Sequence, residues 1–320
     1  MAIDSVPARS GRGNSFLTSA LRFAGCDYDC RSATPTSQSN HTHGGAVSAG
    51  GRYMHTLPAD VESARTLLEE YSGIRAEDVD RHVYQMRDEL WEVYPYACVG
   101  RFRFLSFEFT ADAYYQAALF RLLQAQTESE PDDKETRLLD VGCCIGQVLR
   151  QLAFDGVESS RLYGTDIEPR FLDIGYDLFR DRAKFKGDFV VGDMLKQGED
   201  DERLDVFDGK MTFIHATSFF HLFTWNDQVR VATRMVRFLQ PERQDVMIFG
   251  RQVGTTLPRN NGKAGSDKVY LHNADSWQKL WDEVGERTGT KWKTTMEPTE
   301  TIETGIESSL RKMTFCVSKG

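Results

Sequence analysis

From about residue 136 onward, short apolar runs alternate with amphipathic stretches of helical period, and no other feature constrains the fold as strongly. Runs of strand length fall at 137–141, 161–166, 188–192, 210–216 and 245–250, and helical spacing lies between them at 145–154, 169–183 and 226–239. Such alternation gives a mainly parallel sheet covered on both faces by helices. Two later runs, 291–297 and 311–318, reached through a helix at 274–287, read as a closing hairpin pair. The expected fold is therefore α/β: a doubly wound, seven-stranded, mostly parallel sheet.

The rest of the chain divides around this core. Residues 1–50 are rich in Ser, Gly, Thr and Arg without apolar period, and read as a disordered low-complexity tail. Residues 51–130 read as helical, and 131–320 as the α/β domain. Val61, Ala64, Leu67 and Leu68 follow Leu57-Pro58 at helical spacing, and Val79, Val83, Met86, Leu90 and Trp91 do so over 76–91. The irregular aromatic stretch Tyr94-Pro95-Tyr96 to Gly100 comes next. Thr110 is then the expected N-cap of a third helix, with Asp112 in its first turn.

Charge and cysteine usage exclude some partners. The net charge of -9 disfavours nucleic acid, because affinity for polyphosphate comes from Lys and Arg. The 6 cysteines are scattered apart from one adjacent pair, which is no disulfide framework and fits a reducing, cytoplasmic setting. No run approaches the ~20 apolar residues that span a bilayer, and Arg22 interrupts the one short apolar stretch near the N-terminus. No metal site is expected: His41 and His43 sit in the tail, and adjacent Cys143 and Cys144 have the wrong geometry for one zinc.

The first strand runs into Asp140-Val141-Gly142-Cys143-Cys144-Ile145-Gly146-Gln147 and then a helix. A small-residue turn lets backbone approach a ligand, and in open α/β sheets ligands lie at the carboxyl ends of strands. A dinucleotide fingerprint needs Gly at 142, 144 and 147; Cys144 and Gln147 fail it. The acidic-x-Gly-x-Gly-x-Gly motif of class I methyltransferases fits better: Asp140, Gly142 and Gly146 match, and Cys144 replaces the middle Gly. Asp166 ends the second strand 20 residues after Gly146, where a carboxylate accepts from ribose hydroxyls. Asp193 ends the third, where such enzymes bond the adenine amino group. The expected cofactor is S-adenosyl-L-methionine (SAM).

After the fourth strand comes His215-Ala216-Thr217-Ser218-Phe219-Phe220-His221-Leu222-Phe223. The Asn/Asp-Pro-Pro-aromatic turn of base and amide N-methyltransferases is absent, and so is a Pro-Cys nucleophile. His215 and His221 are the candidate catalytic groups, and Phe219, Phe220, Phe223 and Trp225 could wall an apolar pocket. A hydroxyl acceptor calls for a base; a carboxylate is already ionised at neutral pH.

Tyr94-Pro95-Tyr96 with Gly100-Arg101-Phe102-Arg103-Phe104-Leu105, the double-cysteine turn, Ser218-Phe219-Phe220-His221-Leu222-Phe223, Gly250-Arg251-Gln252-Val253-Gly254, and Trp281 to Trp292 together resemble the fungal meroterpenoid carboxyl methyltransferases. The resemblance covers roughly 55–318. It implies O-methylation of a carboxyl group on a small polyketide-terpenoid molecule, a homodimer, and an N-terminal helical lid over the substrate. By position it assigns Cys143 and Cys144 to the methionine end of the cofactor, Asp166 and Ile167 to the ribose, and Asp193 and Met194 to the adenine. Tyr94, Tyr96, Arg101 and Arg103 then border the substrate, with an arginine as carboxylate clamp. The competing expectations are a hydroxyl O-methyltransferase, a methyltransferase-like regulator acting through protein partners, and a protein methyltransferase.

Overall fold

A computed structural model describes residues 52–127, 135–196, 202–257, 269–302 and 309–320. The expected tail 1–50, with His41 and His43, lies outside them. Strands β1 (Leu138–Val141), β2 (Leu162–Asp166), β3 (Asp188–Val191), β4 (Phe213–His215), β5 (Met247–Thr255), β6 (Trp292–Thr301) and β7 (Leu310–Lys319) form one 7-stranded sheet in the order β3-β2-β1-β4-β5-β7-β6. β1 to β5 run parallel, and β7 pairs antiparallel with both β5 and β6. Every parallel neighbour is reached through a crossover, so the carboxyl ends of β1 to β5 share one edge.

Alternate side chains along a strand point to opposite faces, and the two faces have separate cores. On one, Leu138, Leu162, Phe213 and Phe249 are buried under α4 (Ala113–Ala125), α5 (Gln147–Phe154) and α6 (Pro169–Phe179). The N-terminal helices join that core: α1 (Glu62–Thr66), α2 (Val79–Val93) and the short α3 (Ala97–Gly100). On the other face, Leu139, Ile214, Ile248 and Phe315 pack under α7 (Trp225–Phe238) and α8 (Ala274–Thr288). Among the described residues no helix is long and apolar enough to cross a membrane.

Among the boundaries that differ from the sequence reading, three bear on the supports of the sheet edge. The cap of α4 is Asp112, which accepts from the N–H groups of Tyr114 (2.8 Å) and Tyr115 (3.3 Å). Thr110 sits one short turn earlier and donates its hydroxyl to Phe107 O instead; a carboxylate is the better acceptor for two orphan donors. The first helix is α only over Glu62–Thr66 and widens to a π turn over Leu67–Tyr71. β5 continues past Gly250 to Thr255, because β7 supplies partners up to Leu310 after β4 has ended at His215. That overhang carries Arg251 and Gln252 beyond the edge of β4.

α8 opens with a reciprocal cap: Asn273 Oδ1 accepts from Ser276 N (2.9 Å), and Ser276 Oγ accepts from Asn273 N (3.0 Å). The helix buries Trp277, Leu280, Trp281 and Val284 against the sheet. Asn273→Ala is expected to cost about 1 kcal/mol, read as a lower urea midpoint at unchanged slope; an unchanged midpoint would contradict the role of the cap.

Candidate active site

The turn after β1 is built from left-handed backbone. Gly142, Cys144 and Gly146 have φ of 69°, 50° and 66°. Glycine adopts this region freely, but a side chain there costs about 1–3 kcal/mol. Cys144, at the position where the motif usually has Gly, therefore holds strain that its neighbours must hold in place. They do so with backbone bonds. Gly142 and Cys143 both donate to Thr165 O (2.8 and 3.0 Å), and Cys144 N donates to Asp166 Oδ2 (2.9 Å). A Cβ at Gly142 would stand 2.9 Å from the ring of Phe219, which lies against the turn. Burial pushes the thiols of Cys143 and Cys144 well above their ordinary range. Both are neutral linings and not nucleophiles.

Asp166 ends β2 in partial burial, and its Oδ1 takes Glu168 N (3.1 Å) while Oδ2 takes Cys144 N. The backbone N–H of Ile167 also bears on this carboxylate, which keeps acceptor capacity for a further donor. Burial, helped by the charge of Asp140, raises its pKa to about 6 against those backbone donors. Ile167 follows at the start of the turn into α6. Asp193 stands two residues past β3, its Oδ1 accepting from Leu195 N (2.9 Å), and Met194 beside it is buried.

Asp140, His215 and Thr217 form a buried chain. His215 Nδ1 lies 2.7 Å from Asp140 Oδ1, and its Nε2 lies 2.8 Å from Thr217 Oγ1. Thr217 Oγ1 in turn accepts from Arg251 N (3.1 Å). The chain is consistent with Nδ1–H donated to the carboxylate and the threonine hydroxyl donated to Nε2. The structure thus gives Asp140 a histidine partner within the protein, and it leaves no ring nitrogen of His215 free. His221 lies in the 3-10 turn Phe220–Leu222, buried, with Nδ1 lacking a hydrogen-bond partner; burial lowers its pKa to about 4. Phe219 bears on Phe223 with ring centroids 4.9 Å apart, and the preceding Ser218 is a second left-handed non-glycine (φ 56°).

The aromatic loop Tyr94-Pro95-Tyr96 packs toward α6. Tyr94 and Tyr96 lie 4.2 Å apart by ring centroid, and Tyr96 contacts Phe171 on α6 at 6.2 Å. Arg101 is half-buried just after α3, and Arg103 is exposed in the 3-10 turn Arg103–Leu105.

Three polar groups were not singled out by sequence as site residues. Gln147 opens α5 with a buried, unpartnered Oε1. Arg251, on the same face of the sheet as His215, pairs with Glu108 at 3.3 Å. Gln252 is 3% exposed, and neither its nitrogen nor its oxygen has a partner. Buried amides are nearly always satisfied, so Gln252 is the strongest of the three. Its sequence neighbours Gly250 and Gly254 read as breakers, which hid the strand that carries it. Among the described residues no group of three or more His, Cys, Asp or Glu could hold a metal ion.

A family model described as the meroterpenoid methyltransferase N-terminal domain matches residues 53–105, and one described as a methyltransferase domain matches 138–242. The O-methyltransferase phiE of a fungal species is 40% identical over 240 residues, 75% of this chain and 76% of that protein. The O-methyltransferase atr3 of Stereocaulon alpinum is 37% identical over 248 residues, 76% of this chain and 68% of that one. The Asnovolin E/Chermesin D methyltransferase nvfJ of Aspergillus novofumigatus is 35% identical over 231 residues, 72% of this chain and 78% of that one. The chain belongs to this family of fungal meroterpenoid-pathway O-methyltransferases and is a SAM-dependent enzyme.

The turn fits that cofactor. Gly142 leaves the backbone of the turn exposed, Asp166 has acceptor capacity for a ribose, and Gln147 offers an unpaired acceptor at the first position of α5. When bound, SAM supplies an electrophilic methyl group; the protein's task is to hold it and keep water out.

If Asp166 receives the ribose, SAM binding depends on pH, because ribose hydroxyls donate to a carboxylate and poorly to a carboxylic acid, and burial raises the Asp166 pKa to about 6. SAM affinity should be flat above pH 7 and fall by up to about tenfold per unit as the pH drops below that value, as one linked proton requires. Calorimetric titrations from pH 5 to 8 check this, and a flat profile contradicts it.

Proposed function

We propose that this enzyme methylates a carboxyl oxygen of a small, apolar meroterpenoid-type metabolite. One observation carries the reading: neither histidine near the site has the character of a base. Both ring nitrogens of His215 are engaged, by Asp140 and Thr217, and burial lowers His221 to about 4. An alcohol or phenol must shed a proton during transfer, which favours a positioned base of pKa near the working pH. A carboxylate, with a pKa of about 4, arrives ionised. It needs donors that fix one oxygen in line with the methyl group, and a dry pocket.

The unpartnered groups suit that need. His221 is neutral at physiological pH and can donate from Nδ1, and Gln252 can donate from its amide nitrogen. On this reading they are the residues that orient the acceptor, with Phe219, Phe223 and Trp225 as apolar walls. His215 serves the cofactor edge as a fixed strut. Asp166 and Ile167 hold the ribose, Asp193 and Met194 the adenine, and Cys143 and Cys144 line the methionine end. Tyr94, Tyr96, Arg101 and Arg103 border the substrate on the side of the N-terminal segment, which acts as its lid. The acceptor's carbon skeleton and the homodimer rest on the family resemblance and the cytoplasmic location on the cysteine usage; sedimentation tests the dimer.

The acceptor atom can be identified chemically. With a meroterpenoid carboxylic acid and labelled SAM, the labelled product should release its methyl group on mild alkaline hydrolysis, as an ester does; an alkali-stable ether overturns the reading. His221→Ala should lower kcat/KM by about tenfold, short of the ~10²–10⁴ that loss of a general base removes. At saturating SAM, the pH profile of kcat should show no limb near the ordinary histidine value of about 6.5. Gln252→Leu should raise the acceptor KM and leave SAM affinity unchanged.

A further inference from the structure

Arg150 on α5 has no exposed surface. Its guanidinium lies 4.6 Å from the ring of Phe189, 4.8 Å from Phe185, 4.9 Å from Tyr176 and 5.3 Å from Phe179. An ion in such surroundings must be matched, and Asp181, also wholly buried, matches it with two bonds: Nε to Oδ2 at 2.9 Å and Nη2 to Oδ1 at 3.2 Å. The remaining nitrogen, Nη1, donates to Ile145 O (3.1 Å), inside the cofactor turn. The carboxylate takes one more donor, the Tyr71 hydroxyl, at 2.8 Å to Oδ2.

A buried ion pair is a weak device for stability, since apolar side chains of the same volume often serve as well or better. What it supplies here is connectivity. Tyr71 closes the π turn Leu67–Tyr71 of the N-terminal segment, Asp181 follows α6, and Ile145 and Gly146 are the last residues of the turn before α5. A Cβ at Gly146 would run into this same guanidinium and into Phe189. The guanidinium therefore backs the turn, and its charge partner is bonded to the N-terminal segment. Two further contacts hold that segment: Lys184 Nζ donates to Tyr71 O, and His82 Nε2 lies 3.0 Å from Leu178 O.

We propose that Arg150, Asp181 and Tyr71 are positioning residues that couple docking of the N-terminal segment to the shape of the SAM-binding turn. None of them needs to touch the cofactor. Coupling of this kind is reciprocal: the docked segment tightens SAM binding, and SAM tightens the docked segment. The family-specific N-terminal segment thereby contributes to cofactor affinity as well as covering the acceptor.

Tyr71→Phe removes one hydroxyl and keeps the ring. It should weaken SAM binding about 3- to 10-fold by calorimetry, the range for one typical hydrogen bond. Asp181→Asn should weaken it further. Arg150→Lys keeps the charge but loses the fork, so it should not restore wild-type affinity. In the wild-type chain, SAM should slow amide exchange across residues 53–105, and Tyr71→Phe should abolish most of that protection. Leu122→Ala, in the core away from the strut, controls for general loosening: it should lower the melting temperature and leave SAM affinity as it was. The proposal is overturned if Tyr71→Phe binds SAM as the wild type does, or if Leu122→Ala weakens SAM binding as much as Tyr71→Phe. Should Asp181→Asn not fold, Tyr71→Phe alone decides.

Discussion

The bond between Asp140 and His215 fixes the two strands on which the chemistry depends. It joins the last turn of β1 to the end of β4 beneath the shared carboxyl edge, and through Thr217 it reaches the backbone of β5 at Arg251. β1 delivers the cofactor turn, β4 delivers Phe219 and His221, and β5 delivers Gln252. A carboxylate at 3% exposure cannot remain without a donor, and the imidazole meets that demand in a single orientation. The chain thereby ties together the ends of three neighbouring strands.

Strain concentrates where the ligands are expected. Of the four left-handed non-glycine residues among those described, Cys144 and Ser218 occupy the turns that leave β1 and β4. Each is held by a backbone bond from its own N–H, Cys144 to Asp166 and Ser218 to Arg251 O at 2.7 Å. Such conformations persist only when their surroundings over-determine them. The Phe219 ring against Gly142 links the two turns directly, so the cofactor side and the acceptor side cannot shift independently.

The sheet and its turn were legible in the sequence, and the support of the site was not. The places of the strands along the chain and the positions of Asp166, Asp193 and the Gly142–Gly146 turn follow from apolar period and small-residue spacing, which are local signals; the strand order does not. His215 was visible as a candidate, but its engagement by Asp140 was not, because 75 residues separate the partners. Arg150 and Asp181 lie 31 residues apart, within the expected helices 145–154 and 169–183, and no local signal pairs them. Gln252 was hidden by flanking glycines that signal a break, and only pairing with β7 keeps that segment extended. Asp112 was read as a first-turn acid although it caps α4, since capping and first-turn preferences overlap within two residues.

A crystal structure of the enzyme with S-adenosylhomocysteine, the demethylated cofactor, bears on the central claim most directly. The ribose hydroxyls should lie on the Asp166 carboxylate, and His215 Nδ1 should remain on Asp140 near the 2.7 Å of the free chain. His221 Nδ1 and the Gln252 amide should face the space beyond the cofactor's sulfur. A nucleoside seated away from Asp166, or His215 swung off Asp140 toward that space, would contradict the account.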